Sequence, residues 1–233
     1  MAGVTRKQQS DIIDGTPEKR LFWSIMSDYD LRTGLCELID NAIDLWMAGE
    51  RADDLEVVVN LDSTRQLISV RDNAGGVKKD ELRLLIVPGG SGNDPEAEVI
   101  GIFGVGSKRA SIALGEQVVI RTRFKKQQTH EVDITRDWLE SPDWDLASYE
   151  VPNISPRTTQ VDISHLRDPF DEEDVEELRE QLGETYEWFL SRGCTISLNG
   201  FPIIGRGFGQ WHILLPIHLK RQTYQWTCET VIS

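Results

Sequence analysis

No stretch of the 233-residue chain approaches the roughly 20 consecutive apolar residues that a membrane-spanning helix requires. The N-terminus, MAGVTRKQQSDIIDGTPEKR, is polar and has no apolar signal-peptide core, so a cytoplasmic location is the expectation. Cysteine is scarce: Cys36, Cys194 and Cys228 lie far apart, without metal-ligand spacing, and read as small apolar fillers or surface thiols. Histidine is nearly as sparse, and His130, His165, His212 and His218 make no zinc-type motif. Positive charge is also short, with 25 Lys and Arg against 39 Asp and Glu, a net charge of −14. Such a chain repels nucleic acid on average, so a DNA contact would need a local basic patch. Lys125 and Lys126 with Arg121 and Arg123 form the one small candidate, and a lysine-decorated hairpin tip accounts for them. No internal repeat is visible.

What is present is ordinary for a globular protein, with 39% hydrophobic and 27% charged residues. The length suits one large domain, or one domain and a fragment of a second. Thr16-Pro17-Glu18 reads as a cap and first helical turn running to about Met26, and Asp28-Tyr29-Asp30 caps a helix from Leu31 to Ala48, stopped by Gly49. Leu55–Asp62 and Leu67–Asp72 read as strands around a short turn. Lys78–Val87 has helical alternation, PGGSGNDPEAE (Pro88–Glu98) reads as a mobile loop, and Gly104–Leu114 as a helix closed by Gly115 at its C′ position. Strands are expected near Gln117–Phe124, Thr129–Thr135, Ser148–Val151 and Thr159–Ile163. A long helix follows from Asp171 to Leu190, closed by Gly193, then a hairpin, Cys194–Leu198 and Phe201–Ile204, turning at Asn199-Gly200. Beyond Gly205 no period can be assigned. Helices segregated from a mostly antiparallel run of strands indicate an α+β two-layer sandwich.

Three segments carry chemistry. In GLCELIDNAIDLW, a helical wheel places Glu37, Asp40, Asn41 and Asp44 within an arc of about 100°, with no positive charge among them. A solvated amphipathic face explains this pattern; three acids and an amide also suit a hard cation such as Mg²⁺, or a carboxylate that deprotonates water. RDNAGGV (Arg71–Val77) ends a strand in a glycine turn, either a simple turn or one that a planar ligand can approach closely. GIFGVGSK (Gly101–Lys108) fails as a Walker A loop, because Ser107 precedes Lys108, and as a dinucleotide fingerprint, because Arg109 replaces the third glycine. What survives is glycine-rich backbone leading into a helix N-terminus, whose free N–H groups and dipole attract an anion.

Together, and in this order, these segments resemble the GHKL superfamily of gyrase-type topoisomerases, heat-shock chaperone ATPases, histidine kinases and MutL-type repair proteins. ELIDNAID is similar to its N box, DNAGG to its first glycine box and GIFGVGSK to its second. The resemblance implies a Bergerat-type fold, with a mixed, mostly antiparallel sheet and helices on one face, binding ATP and Mg²⁺. It implies that Glu37 is the general base for water and that Asn41 ligates Mg²⁺. Asp72 would accept the adenine amino group, with Gly76 lying against the base and Thr159 supporting Asp72. Gly101, Gly104, Val105, Gly106 and Ser107 would wrap the phosphates through their backbone, with Lys108 in a supporting contact, and Pro88–Val99 would be the lid. The roles of Asp40 and Asp44 stay open, either as supports behind the residues that meet the metal and water or as merely polar residues.

Two positions depart from the family pattern. Ala74 and Thr158 stand where glycine is usual, and a left-handed backbone at Ala74 would cost ~1 kcal/mol. Glu37 favours hydrolysis over phosphotransfer, which sets this chain apart from a histidine-kinase-like catalytic domain; a non-hydrolysing ATP sensor is the other alternative. The region after Thr159 is most similar to microrchidia-type and related prokaryotic ATPases, whose transducer region supplies a lysine to the γ-phosphate; Lys220 is the nearest counterpart here. The expected division is an ATPase domain over 1–193 and the start of a transducer-like region over 194–233. ATP-gated homodimerisation or engagement of a protein or DNA-processing partner is implied, without a membrane.

Overall fold

A computed structural model describes residue 19 and residues 29–49, 54–86 and 106–206, with only the backbone described for 106–109. The expected helix near Thr16–Met26, the lid Pro88–Val99, the loop residues Gly101, Gly104 and Val105, and Lys220 lie outside the described residues, apart from Lys19.

Helix α1 spans Leu31–Ala48, and Asp30 caps it by accepting the Thr33 N–H at 2.7 Å. Its apolar sector (Leu35, Leu38, Ile39, Ala42, Ile43 and Trp46) is buried, as the wheel requires. Strands β1 (Leu55–Asp62) and β2 (Leu67–Asp72) form the first hairpin, and a 3-10 helix follows at Lys79–Leu85. Helix α2 (Gly106–Leu114) leads into β3 (Gly115–Arg123), β4 (Thr129–Ile134), the short helix α3 (Arg136–Glu140), β5 (Ser148–Val151) and β6 (Thr158–Leu166). Then come α4 (Glu172–Thr185), α5 (Glu187–Leu190), β7 (Cys194–Leu198) and β8 (Phe201–Pro202).

The strands make one eight-stranded sheet in the order β5-β4-β3-β6-β2-β1-β7-β8. Every pairing is antiparallel except β1 with β7. This is the expected α+β sandwich with a mixed, mostly antiparallel sheet. β7, which lies past the expected division at residue 193, pairs with β1 in that same sheet.

Register explains where the core sits. Side chains opposite one another on neighbouring strands share a face, so the partners form rows across the sheet. One row is Ile134, Val118, Ile163, Ile68 and Leu61; the next is Val132, Ile120, Val161, Val70, Val59 and Leu198. Nearly all are buried against α1, α2 and α4, whose own contributions include Ile112, Val175, Leu178 and Leu182. The opposite face is polar: Arg121 pairs with Glu131 at 2.5 Å and Asp162 at 2.6 Å.

Three expectations need correction, and one element is new. Lys79–Leu85 is 3-10 rather than α, because none of its residues is buried and no side chain caps it, so nothing stabilises an α-helical face. Gly115 is not a left-handed helix stop; it opens β3, where a Cβ would lie 2.6 Å from Ile163 Cγ2 and from the Ser164 carbonyl oxygen. The long helix from Asp171 breaks at Tyr186, whose backbone (φ −103°, ψ 11°) separates α4 from α5. Helix α3 was not anticipated; Thr135 caps it by accepting the Trp138 N–H at 3.2 Å. By contrast, Asn199 (φ 51°) and Gly200 (φ 79°) both take the left-handed conformation of the expected hairpin turn.

Candidate functional site

The third row across the sheet breaks the apolar pattern. It runs His130, Thr122, Thr159 and Asp72 on β4, β3, β6 and β2, and only then returns to Val57 and Ile196. Four adjacent strands thus present polar side chains on the helix-bearing face, at the end of the sheet where β2 enters its glycine turn. Thr122 and His130 are buried. Polar groups so placed need partners, and Thr122 has two. The Thr122 and Thr159 hydroxyls lie 3.1 Å apart, and the Val77 N–H donates to Thr122 Oγ1 at 2.8 Å. Thr122 was missed in the sequence: one threonine in an alternating strand gives no signal until register sets it beside Thr159.

Asp72 ends β2 half-buried, its carboxyl accepting the Ala74 N–H at 2.9 Å. Burial pushes that carboxyl up to about 7, and the Ala74 N–H and nearby Arg71 offset this only partly. A buried carboxylate with spare acceptor capacity suits a ligand N–H donor. Its neighbour Asn73 is a turn former: it accepts the Glu56 N–H at 2.8 Å and donates to the Asp54 carbonyl at 3.1 Å.

The glycine turn is fixed by backbone. Gly76 has φ +70°, and a Cβ there would lie 2.2 Å from the Arg123 carbonyl oxygen, so glycine is required whether or not a ligand is bound. Ala74 is buried and absent from the left-handed residues, so the anticipated strain does not arise. Thr158, the other departure, sits buried in extended β6 with no need of glycine.

Helix α1 crosses beside this turn; Leu45 lies 3.5 Å from where a Cβ on Gly75 would be. Asn41 is exposed, and its amide nitrogen donates to the Glu37 carbonyl one turn back, so the amide oxygen is the atom left for a cation. Glu37 is half-buried one turn before it, and Asp44 is buried. The acids do not converge as the helical wheel allowed. Asp40 accepts the Tyr186 hydroxyl at 2.8 Å, and among the described residues no group of three or more His, Cys, Asp or Glu side chains could hold a metal. A single amide oxygen fits an ion that brings most of its ligands with it, as magnesium does on a polyphosphate.

Helix α2 begins within GIFGVGSK, with Gly106, Ser107 and Lys108 in its first turn. Its N-terminal N–H groups therefore lie where the sequence places an anion site. A cleft of about 280 Å³ lies elsewhere, between Asp30, Ile68, Leu114 and Phe170, at the Ile68 end of β2 rather than the Asp72 end. The basic patch is largely consumed internally: Arg121 is ion-paired as above, and Arg123 donates to the carbonyls of Gln127 at 2.8 Å and Ile154 at 2.6 Å. Lys125 and Lys126 stay exposed at the hairpin tip. No described helix is long and apolar enough to cross a membrane.

Residues 29–165, more than half of the chain, match the family model described as histidine kinase-, DNA gyrase B- and HSP90-like ATPase. The chain is 30% identical over 87 residues to Protein MICRORCHIDIA 4 of Arabidopsis thaliana, covering 37% of this chain and 11% of that one. It is 29% identical over 87 residues to Protein MICRORCHIDIA 7 of the same plant, covering 37% of this chain and 12% of the relative. The matched stretch is therefore a small part of either relative.

Proposed function

Because the chain belongs to the histidine kinase-, DNA gyrase B- and HSP90-like ATPase family, we propose that it binds ATP with Mg²⁺ and hydrolyses it, and that nucleotide closes the lid and gates dimerisation or partner engagement. The observation that carries this reading is the polar row Thr122–Thr159–Asp72 beside the glycine turn. It supports the reading because it aligns Asp72, which accepts the Ala74 N–H, with Thr159 and Thr122 in one row at the glycine turn.

Each residue's part follows from its chemistry. Asp72 accepts the exocyclic N–H of adenine, and the Thr122–Thr159 hydroxyl pair supports the neighbouring hydrogen-bond network. The backbone N–H groups of Gly106 and Ser107 at the start of α2, with Gly101, Gly104 and Val105 before it, hold the phosphates, and Lys108 adds positive charge. Asn41 offers its amide oxygen to magnesium, which when bound neutralises phosphate charge. Glu37, one turn away on the same helix, takes the proton of the attacking water, so that an oxygen–phosphorus bond forms as the bond to the ADP leaving group breaks.

Phosphate release by Glu37→Ala and Asn41→Ala variants tests this assignment. Glu37→Ala is expected to retain ATP binding while turnover falls about 100-fold or more, and Asn41→Ala to lose the magnesium-dependent part of binding. Unchanged turnover in Glu37→Ala would refute the role of that residue. Wild-type protein that binds ATP yet releases no phosphate would instead establish a nucleotide sensor.

A further inference from the structure

Tyr186 occupies the break between α4 and α5, beyond the family-matched residues 29–165. Its ring is 1% exposed, and its hydroxyl reaches across the helix layer to α1. There it lies 2.8 Å from Asp40 Oδ1 and 3.1 Å from the Cys36 carbonyl oxygen. Cys36 and Asp40 are one helical turn apart, and each immediately precedes a residue of the site, Cys36 before Glu37 and Asp40 before Asn41. One hydroxyl proton, shared between these two acceptors, therefore holds α1 beside both the water-activating carboxylate and the metal-facing amide. Burial and the adjacent carboxylate raise the phenol's pKa, so it remains a donor.

Resting on the functional reading above, we propose that Tyr186 is a positioning residue. Its hydroxyl fixes the Glu37–Asn41 turn of α1 and ties the chemistry to the α4–α5 corner. A buried tyrosine that merely satisfies its hydroxyl would use any nearby acceptor. This one meets the single turn where a shift of about 1 Å alters both groups, and displacements of that size can lower rates by about 100-fold.

Removing only the hydroxyl, as Tyr186→Phe in the full chain, separates the two roles. The expected result is a fall in kcat of about 5- to 20-fold. Affinity for a non-hydrolysable ATP analogue without magnesium, which depends on Asp72, should stay within about twofold. A second readout is the affinity gained on adding magnesium, which should fall at least about threefold in Tyr186→Phe while the magnesium-free affinity holds.

Wild-type kcat and an undiminished gain in affinity on adding magnesium in Tyr186→Phe would overturn the proposal. So would a loss of turnover matched by equal losses of analogue affinity and urea midpoint, which marks a purely structural residue. If the wild type binds the analogue without turnover, hydrolysis fails as a reading. Tyr186 is then judged by the affinity gained on adding magnesium, which Tyr186→Phe must reduce at least about threefold for the proposal to stand. A wild type that binds no analogue removes both.

Discussion

If Asp72 reads adenine as proposed, ligand recognition and folding pull in opposite directions there, because a carboxylate that accepts an N–H is held where burial disfavours its charge. Its carboxyl rises to about 7 in the fold from an ordinary value near 4. A raised acid favours the folded chain below the unfolded value, and that contribution is lost as pH rises through about 7. Two outcomes follow for Asp72→Asn. The variant should be more stable than wild type by ~1–3 kcal/mol at pH 8, with the gap closing toward pH 5, as urea midpoints at the two pH values will show. It should also bind ATP analogues far more weakly. In the wild type, analogue affinity should fall about tenfold from pH 8 to pH 6 as Asp72 protonates, and calorimetric titrations at both values check this. An affinity flat with pH would mean that Asp72 does not meet the base as a carboxylate. The aspartate could be found in the sequence because DNAGG is contiguous; Thr122 could not, because its place depends on β3 pairing with a strand 37 residues further on, at Thr159.

Among the elements, α1 was legible because its period, its Asp30 cap and its polar stripe without positive charge agree, and the structure reproduces its bounds. Two of the failures share one cause, which is that tertiary contacts decided them. The break at Tyr186 follows burial of a ring reaching α1, and Gly115 is glycine because β6 passes close behind it. Contact between elements also makes Gly34 informative. A Cβ there would lie 2.7 Å from Leu114 Cδ1, so α1 packs directly on the end of α2, the helix that starts in GIFGVGSK. Alanine would gain ~1 kcal/mol of helix propensity. Overpacking costs ~1–3 kcal/mol, so Gly34→Ala should destabilise by about 1 kcal/mol net. If packing on Leu114 sets where α2 begins, analogue affinity should fall about threefold as well. A more stable variant with unchanged affinity would show that Leu114 yields freely and that the α1–α2 seam does not set the site.

For the whole molecule the relevant quantity is a net charge of −14 on 233 residues. Two copies approaching each other repel through that charge before any short-range contact forms, and the repulsion is screened over ~10 Å at 0.1 M salt. If ATP-gated dimerisation completes the site, as proposed, assembly and turnover must both depend on protein concentration, and salt must help. Turnover per chain should therefore rise between about 0.1 and 50 µM protein with ATP saturating, and the half-maximal concentration should fall as NaCl goes from about 50 to 300 mM. The direction is diagnostic, because ATP binding itself is weakened by salt through its phosphates. A steady-state assay over this grid, with sedimentation velocity on the same samples, distinguishes the two effects. A threshold that rises with salt would mean that attractive ion pairs, not the net charge, govern assembly; specific activity that is constant with concentration would mean that each chain works alone and that the site needs nothing from a second copy.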